Sequence, residues 1–297
     1  MLEKENLDKE RRRILIQRIQ ELPTLPSSIL KIIQLADNAS STPTELASVI
    51  SKDPSISSMI IKLVNSAFYG YYRQISSISH AVVILGYQTV KTMALGVSVF
   101  QNAPSRPRQA FDRKAFWVHS LGVATITKKL YTKIGRIKGV DAETLFLSGL
   151  LHDVGKVAFD NFFNDEYESV AAEAQKNNEW IRNTEIRKFQ MDHTEAGFHL
   201  AKTWKFPEAV MAGIRFHHDL KEAIDLEEPA LKAAAYVSVA DYICRKIKIG
   251  SGGDNAEPDL LDEALSACGV SMEEVDALAS SEEMAQDKAM IETFANG

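Results

Sequence analysis

Apolar residues recur along this chain at intervals of three and four almost from end to end, the period of a helix with one buried face. Ile56, Met59, Ile60, Leu63 and Val64 form one such stripe. Phe116, Val123, Ile126 and Leu130 form a second, with His119 set among them. In a third, Ala234, Val237 and Cys244 share a face with Asp241. Helix starts are marked by capping residues. Thr42 precedes Pro43, a residue suited to the first helical position, and Glu45 stands where it closes a capping box. Asp53 before Pro54 repeats the device, and Ser271 with Glu274 forms another box ahead of Val275 and Leu278. No run of alternating β-branched residues bounded by tight turns interrupts the pattern. It predicts an all-α protein.

Breaks in the pattern set the expected organisation. The loop Asn102–Arg108, with Pro104 and Pro107, divides an N-terminal helical region, residues 1–108, from a helical core at 109–249. The two are expected to pack together. Gly250–Asn255 reads as a flexible linker of the glycine type, leading to an acidic helical tail, so that 250–297 forms a third region. Asp8–Arg13, followed by Ile14, Leu15, Ile16 and Ile19, reads as a solvated amphipathic helix. Phe68, Tyr69, Tyr71 and Tyr72 fall in a turn-rich stretch. They are expected either to pack on the histidine region or to form a partner surface.

Composition narrows the class. At 297 residues, 45% hydrophobic and 25% charged, the chain is long enough for a large core and ordinary in balance. It contains no stretch of about 18 apolar residues to span a bilayer. Its charged start, Met1-Leu2-Glu3-Lys4, lacks a secretory pattern, so a cytoplasmic location is expected. The net charge of -6 is uneven, because residues 251–297 carry 12 acidic side chains against Lys288 alone. The rest is only mildly basic, which disfavours a nucleic-acid partner. Residues 43–65 could imitate a helix-turn-helix, but Lys62 is the only base on its second helix. Cys244 and Cys268 have no metal or redox spacing.

The candidate chemistry centres on Gly149-Leu150-Leu151-His152-Asp153-Val154-Gly155-Lys156. Leu145, Leu147, Leu150 and Leu151 make the preceding run apolar, so His152 and Asp153 emerge from a buried segment. A carboxylate held there needs a partner or a metal ion. Adjacent side chains on a helix point about 100° apart, so one ion takes both only at the helix edge. Gly155 permits close approach of another group. Lys156, four residues after His152, shares its face and would meet a phosphate bound there. Further candidates are His119, His193, His217, His218 and Asp241. Taken singly, each has a plain structural reading. His119 could be a satisfied core histidine, Asp241 a buried ion pair, and His217 and His218 imidazolium groups at a helix C-terminus. Arg215 and Glu195 read as solvated, and His80 and His199 as structural or surface residues. Taken together, mixed imidazole and carboxylate donors favour one or two Fe, Mn or Zn ions over Mg or Ca. The lack of cysteine among them argues against a structural zinc site.

The order His119, His152-Asp153, His193, His217-His218, Asp241 resembles the HD superfamily of metal-dependent phosphohydrolases. Upstream, Leu22–Pro26, Ile50–Pro54, Leu63–Gly70 and Ser79–Gly86 narrow the likeness to the HDOD family, a bacterial signalling variant related to the HD-GYP phosphodiesterases. The likeness covers residues 14 to 245. It implies an HD-domain-like helical bundle and a regulatory protein with an intact metal site. The alternative it implies is a metal-dependent phosphohydrolase acting on a nucleotide or other phosphoester. One ion would take His119, His152, Asp153 and Asp241. Asp153 would bridge to a second on His193, His217 and His218, while Ala115 offers no ligand for a third. Asp153 and Lys156 would carry the catalytic roles, with Lys156 offsetting phosphoryl charge. No Gly-Tyr-Pro follows His217-His218, which disfavours cyclic di-GMP as substrate. The implied partners are a signalling protein or a small phosphorylated ligand.

Overall fold

The computed structural model describes residues 12, 16–17, 31–32, 34–35, 40–65, 74–101, 109–223 and 225–296, and among them every regular element is a helix. The all-α expectation therefore holds. The motif Leu22–Pro26, the aromatic cluster Phe68–Tyr72 and the loop Asn102–Arg108 lie outside the described residues. So does the Asp8–Ile19 stretch, apart from Arg12, Ile16 and Gln17.

The chain divides into two compact units, Pro23–Ala103 with Ala285–Gly297, and Met1–Leu22 with Pro104–Met284. The first holds α1 (Pro43–Ser51), α2 (Pro54–Asn65), α3 (Ile78–Leu85) and α4 (Tyr87–Gln101). The Thr42 hydroxyl accepts from Glu45 N while the Glu45 carboxylate accepts from Thr42 N, completing the expected box. Asp53 Oδ1 accepts from the amides of Ser55 and Ile56 at 3.1 Å each, opening α2. The α2 stripe buries Ile56, Ile60, Leu63 and Val64, with Met59 at its edge. The Asn65 side chain then ties the end of α2 to Ile75, its Nδ2 donating to Ile75 O and its Oδ1 accepting from Ile75 N, each at 2.7 Å.

The second unit holds α5 (Arg113–Lys133), α6 (Ala142–Leu151), α7 (Val154–Asn177), α8 (Ile181–Phe189), α9 (His193–Thr203), α10 (Glu208–Phe216), a 3₁₀ turn (Leu220–Ala223) and α11 (Glu228–Lys246). After these come α12 (Asp262–Cys268) and α13 (Met272–Ala279), while α14 (Glu282–Asn296) begins in this unit and continues into the Ala285–Gly297 segment of the other. Helices α5, α6, α10 and α11 pack on one another, and α9 joins α7 to α10. Leu145, Leu147, Leu150 and Leu151 of α6 are all buried, which stabilises the unit by about 1.5–3 kcal/mol per side chain. Asp112, Asp141 and Asp192 cap α5, α6 and α9 and so fix where these three helices begin.

Two local readings change. His152 closes α6 and Asp153 opens α7, so the pair sits at a break between helices rather than along one helix edge. The break turns the two side chains toward a common point that a continuous helix would deny them. Nor is Gly250–Asn255 a free linker. Gly252, Gly253 and Asp254 are buried, and Ser251 N donates to Ala115 O at 3.0 Å. At Gly250 (φ +62°) a Cβ would meet Ala115 O at 2.3 Å, because this strap lies against the backbone of α5.

Candidate metal centre

His119 comes from α5, His152 and Asp153 from the α6–α7 break, His193 from the start of α9, His217 and His218 from the end of α10, and Asp241 from α11. Six helices thus deliver one cluster. The α7–α9 contact that brings His193 in depends on Gly155. A Cβ there would stand 1.9 Å from the His193 carbonyl oxygen. The expected close approach is therefore that of the ligand's own backbone.

The donor atoms fall into two groups, His119 with His152 and Asp241, and His193 with His217, His218 and Asp153. Within each group they lie within 4.8 Å of one another. Asp153 reaches both. Its Oδ2 is 3.2 Å from His152 Nε2 and 4.0 Å from His119 Nε2, while its Oδ1 is 3.1 Å from His193 Nε2 and 3.6 Å from His217 Nε2. Asp241 Oδ1 is 3.1 Å from His119 Nε2 and 3.9 Å from His152 Nε2. Apart from Asp153 Oδ2, these atoms face each other without a hydrogen bond. His119, His152, His193 and His217 Nε2, Asp153 Oδ1 and Asp241 Oδ1 are all buried and lack a hydrogen-bond partner among the described residues. A buried polar atom left unpaired costs about 1–3 kcal/mol, and six converging together fit cations seated among them.

The opposite ring nitrogens explain why the Nε2 atoms face inward. His152 Nδ1 donates to Gly149 O at 2.7 Å, and His217 Nδ1 donates to Gly213 O at 2.9 Å. His193 Nδ1 is 2.6 Å from Glu185 Oε2, which also accepts from His193 N at 2.9 Å. Glu185 Oε1 accepts from the Tyr167 hydroxyl at 2.8 Å. A proton held on Nδ1 turns Nε2 toward the centre, where it would hold an ion once that nitrogen is unprotonated.

Electrostatics separates the rings. Burial lowers the pKa of His119, against the raising influence of Asp241. Burial also drives His217 down to about 4, against Asp153, and holds His218 well below its usual range. These two are therefore neutral donors, not helix-end imidazolium groups. Burial would likewise lower His193, but the Glu185 and Asp153 carboxylates overcome it and raise the ring to about 9. Burial favours the neutral form of Asp153, yet His152, Lys156 and His193 keep the carboxylate charged and its pKa well below normal. Asp241 is held down in the same way, chiefly by His119 and Arg245 against burial.

Lys156 takes a different place from the one its spacing implies. It is 1% exposed, and its ammonium donates to Asp153 Oδ2 at 2.7 Å and to Gly252 O at 2.9 Å. It braces the shared carboxylate rather than facing an opening. Arg215 is engaged with Glu222 and Thr194, and Glu195 is paired with Arg12 and lies near His199. His80 is exposed. A cleft of about 150 Å³ opens onto His217, His218 and Asp241, with Trp180, Arg182, Asn183 and Ser238 among its walls. Spacing gave no sign of Glu185, Tyr167, Trp180 or Arg245. The one available signal was the unpaired buried charge of the HD segment, which required partners without naming them.

Residues 22–220 match the HDOD domain family. Over 228 residues the chain is 27% identical to an uncharacterised protein of Treponema pallidum, a match covering 75% of this chain and 42% of that one. The chain thus spans less than half the length of this relative. An HDOD domain protein of unknown function from Geobacter sulfurreducens has a similar structure, with a TM-score of 0.74, 25% identity, and coverage of 96% of this chain and 98% of that one. A candidate phosphohydrolase of Shewanella amazonensis follows at 0.71 and 26%, covering 95% and 97%. Asp241 and the strap lie beyond the matched residues, but the match takes in well over half of the chain together with the His152-Asp153 pair, and the chain belongs to the HDOD family.

Proposed function

We propose that this protein is a bacterial, cytoplasmic regulatory member of the HDOD family whose HD-type site is intact and binds one or two transition-metal ions of the Fe, Mn or Zn type. The observation that carries this is the set of six buried donor atoms that approach one another without hydrogen bonds. His119, His152, Asp153 and Asp241 would hold one ion, and Asp153, His193, His217 and His218 the other. When bound, such ions supply Lewis acidity toward a phosphoryl group. The chain's own residues hold the site ready. Gly149 and Gly213 carbonyls and Glu185 orient three imidazoles, and Lys156 fixes the carboxylate that both groups share.

A second reading, metal-dependent hydrolysis of a nucleotide or other phosphoester, is favoured by the cleft that reaches His217, His218 and Asp241. Its small volume and the missing Gly-Tyr-Pro segment disfavour cyclic di-GMP. In the first reading the ligand or partner is sensed; in the second the ligand is turned over. Elemental analysis of protein expressed with metal supplements is expected to find up to two ions per chain, and none after His152→Ala with Asp153→Ala. Absence of transition metal from the unaltered protein would overturn the site assignment. A panel of phosphodiesters and nucleotides then separates the readings, and robust turnover of cyclic di-GMP would overturn the substrate expectation.

A further inference from the structure

One imidazole of the centre is held differently from the rest. His152 and His217 meet backbone carbonyls through Nδ1, and His193 meets the Glu185 carboxylate. Those partners are oxygens that only accept. His119 is buried like the others, and its Nε2 lacks a hydrogen-bond partner among the described residues. The group beside its Nδ1, however, is the thiol of Cys244, with Sγ at 3.5 Å.

The thiol is firmly seated. Cys244 is fully buried near the end of α11, three residues after Asp241. Its Sγ is also 3.5 Å from Ile249 O and 3.6 Å from His119 O. Ile249 N donates to Cys244 O at 2.9 Å, which folds the residues just before the strap back onto α11. On the α5 side, a Cβ at Gly122 would stand 2.8 Å from Sγ and 2.7 Å from Ile249 Cγ2, so α5 approaches the sulfur as closely as a bare glycine allows. Gly122 is about one turn after His119, and the same helix crossing therefore fixes both the ring and the sulfur.

A thiol has one hydrogen, a weak donor, and a sulfur that weakly accepts. The two carbonyl oxygens beside it can only accept and compete for that hydrogen, which leaves the sulfur lone pairs for the ring. We infer that Cys244 is the positioning residue of His119: its sulfur accepts from Nδ1–H while its S–H donates to Ile249 O or His119 O. The ring of one candidate ligand is thereby tied to the root of the strap, with Nε2 turned toward Asp241 and Asp153. The inference rests on the metal-site reading for what Nε2 is held toward, while the contact itself belongs to the chain. A thiol that only fills space would be replaced equally well by any side chain of its size.

Zinc titration of metal-free full-length protein against a competing chelator tests this, with Cys244→Ala and Cys244→Ser compared. The two replacements are nearly the same size and differ by one hydroxyl, which can accept from Nδ1–H and donate to a carbonyl as the thiol does. Cys244→Ala is expected to weaken zinc binding at the His119 group about tenfold, the lower end for an orienting partner because a sulfur contact at 3.5 Å is weak, and Cys244→Ser to restore it. Nitrogen NMR of histidine-labelled, metal-free protein reads the contact without any ion. His119 Nδ1, assigned by its loss in His119→Gln, should carry the hydrogen in the unaltered and serine proteins and lose it in the alanine protein. Equal affinities in all three proteins, equal loss in both replacements, or a bare Nδ1 in the unaltered protein overturns the inference. The unaltered spectrum keeps it falsifiable if Cys244→Ala does not fold. If zinc binds to none of the proteins, the metal reading falls and the spectra alone decide the inference.

Discussion

Replacing Gly155 with alanine adds one methyl group at the point where α7 crosses α9. That methyl would stand 1.9 Å from the His193 carbonyl oxygen, 2.7 Å from the His193 carbonyl carbon and 2.8 Å from Gly197 N. All three are backbone atoms, so no rotamer change relieves the clash. Reaching even the 3.0 Å floor of real Cβ contacts requires the helices to part by about 1 Å. Overpacking of this kind costs about 1–3 kcal/mol, and the absence of a soft neighbour places it at the upper end. For a unit of this size that corresponds to a fall in Tm of roughly 5–10 °C. The same displacement carries His193 away from Asp153, whereas ligand distances tolerate only about 0.2 Å. The second ion should be lost and the first retained. Thermal melts of metal-free protein test the packing, and metal-to-protein ratios test the site. A Gly155→Ala protein with unchanged Tm and two ions would refute the argument from the helix crossing.

Glu185→Gln keeps hydrogen-bonding groups beside His193 and Tyr167 but removes the negative charge, so affinity for the second ion should fall about 10–100-fold while that for the first is kept; equal titration curves would sink the orienting role. Burial pushes the Cys268 thiol up to about 12, only slightly countered by Lys232, so native protein should react slowly with a thiol reagent at pH 8 and promptly once unfolded. Because this pKa is raised on folding, its contribution to stability is complete below about 9 and disappears as the pH climbs toward 12; a urea midpoint that does not fall over that range would contradict it.

Much of the site was legible because burying a titratable group leaves a mark in helical spacing. His119 and Asp241 stood on apolar stripes, and the structure brings their side chains to 3.1 Å. Lys156 was misplaced for a local reason. Its spacing from His152 assumed an unbroken helix, and the chain breaks between His152 and Asp153. Glu185 was invisible because its helix, Ile181–Phe189, is mostly polar and reads as solvated; its burial comes from Tyr167, eighteen residues earlier. The strap was misread because glycine serves two opposite ends, chain freedom and close packing. Only the α5 backbone and the Lys156 ammonium, both distant in sequence, show which applies at Gly250 and Gly252.

The strap also bears on the order in which the molecule is made. The bond from Lys156 to Gly252 O joins residues 96 positions apart, and Cys244 meets His119 across 125. During synthesis from the N-terminus, His152, Asp153 and Lys156 leave the ribosome long before Asp241 and Gly252 exist to meet them. Contacts that close such long loops form late, because the entropy of closure comes before their reward. Helices α5 to α10 can therefore gather as a nascent intermediate whose ligand set is incomplete, and ion capture is expected to be among the last events of folding rather than its seed.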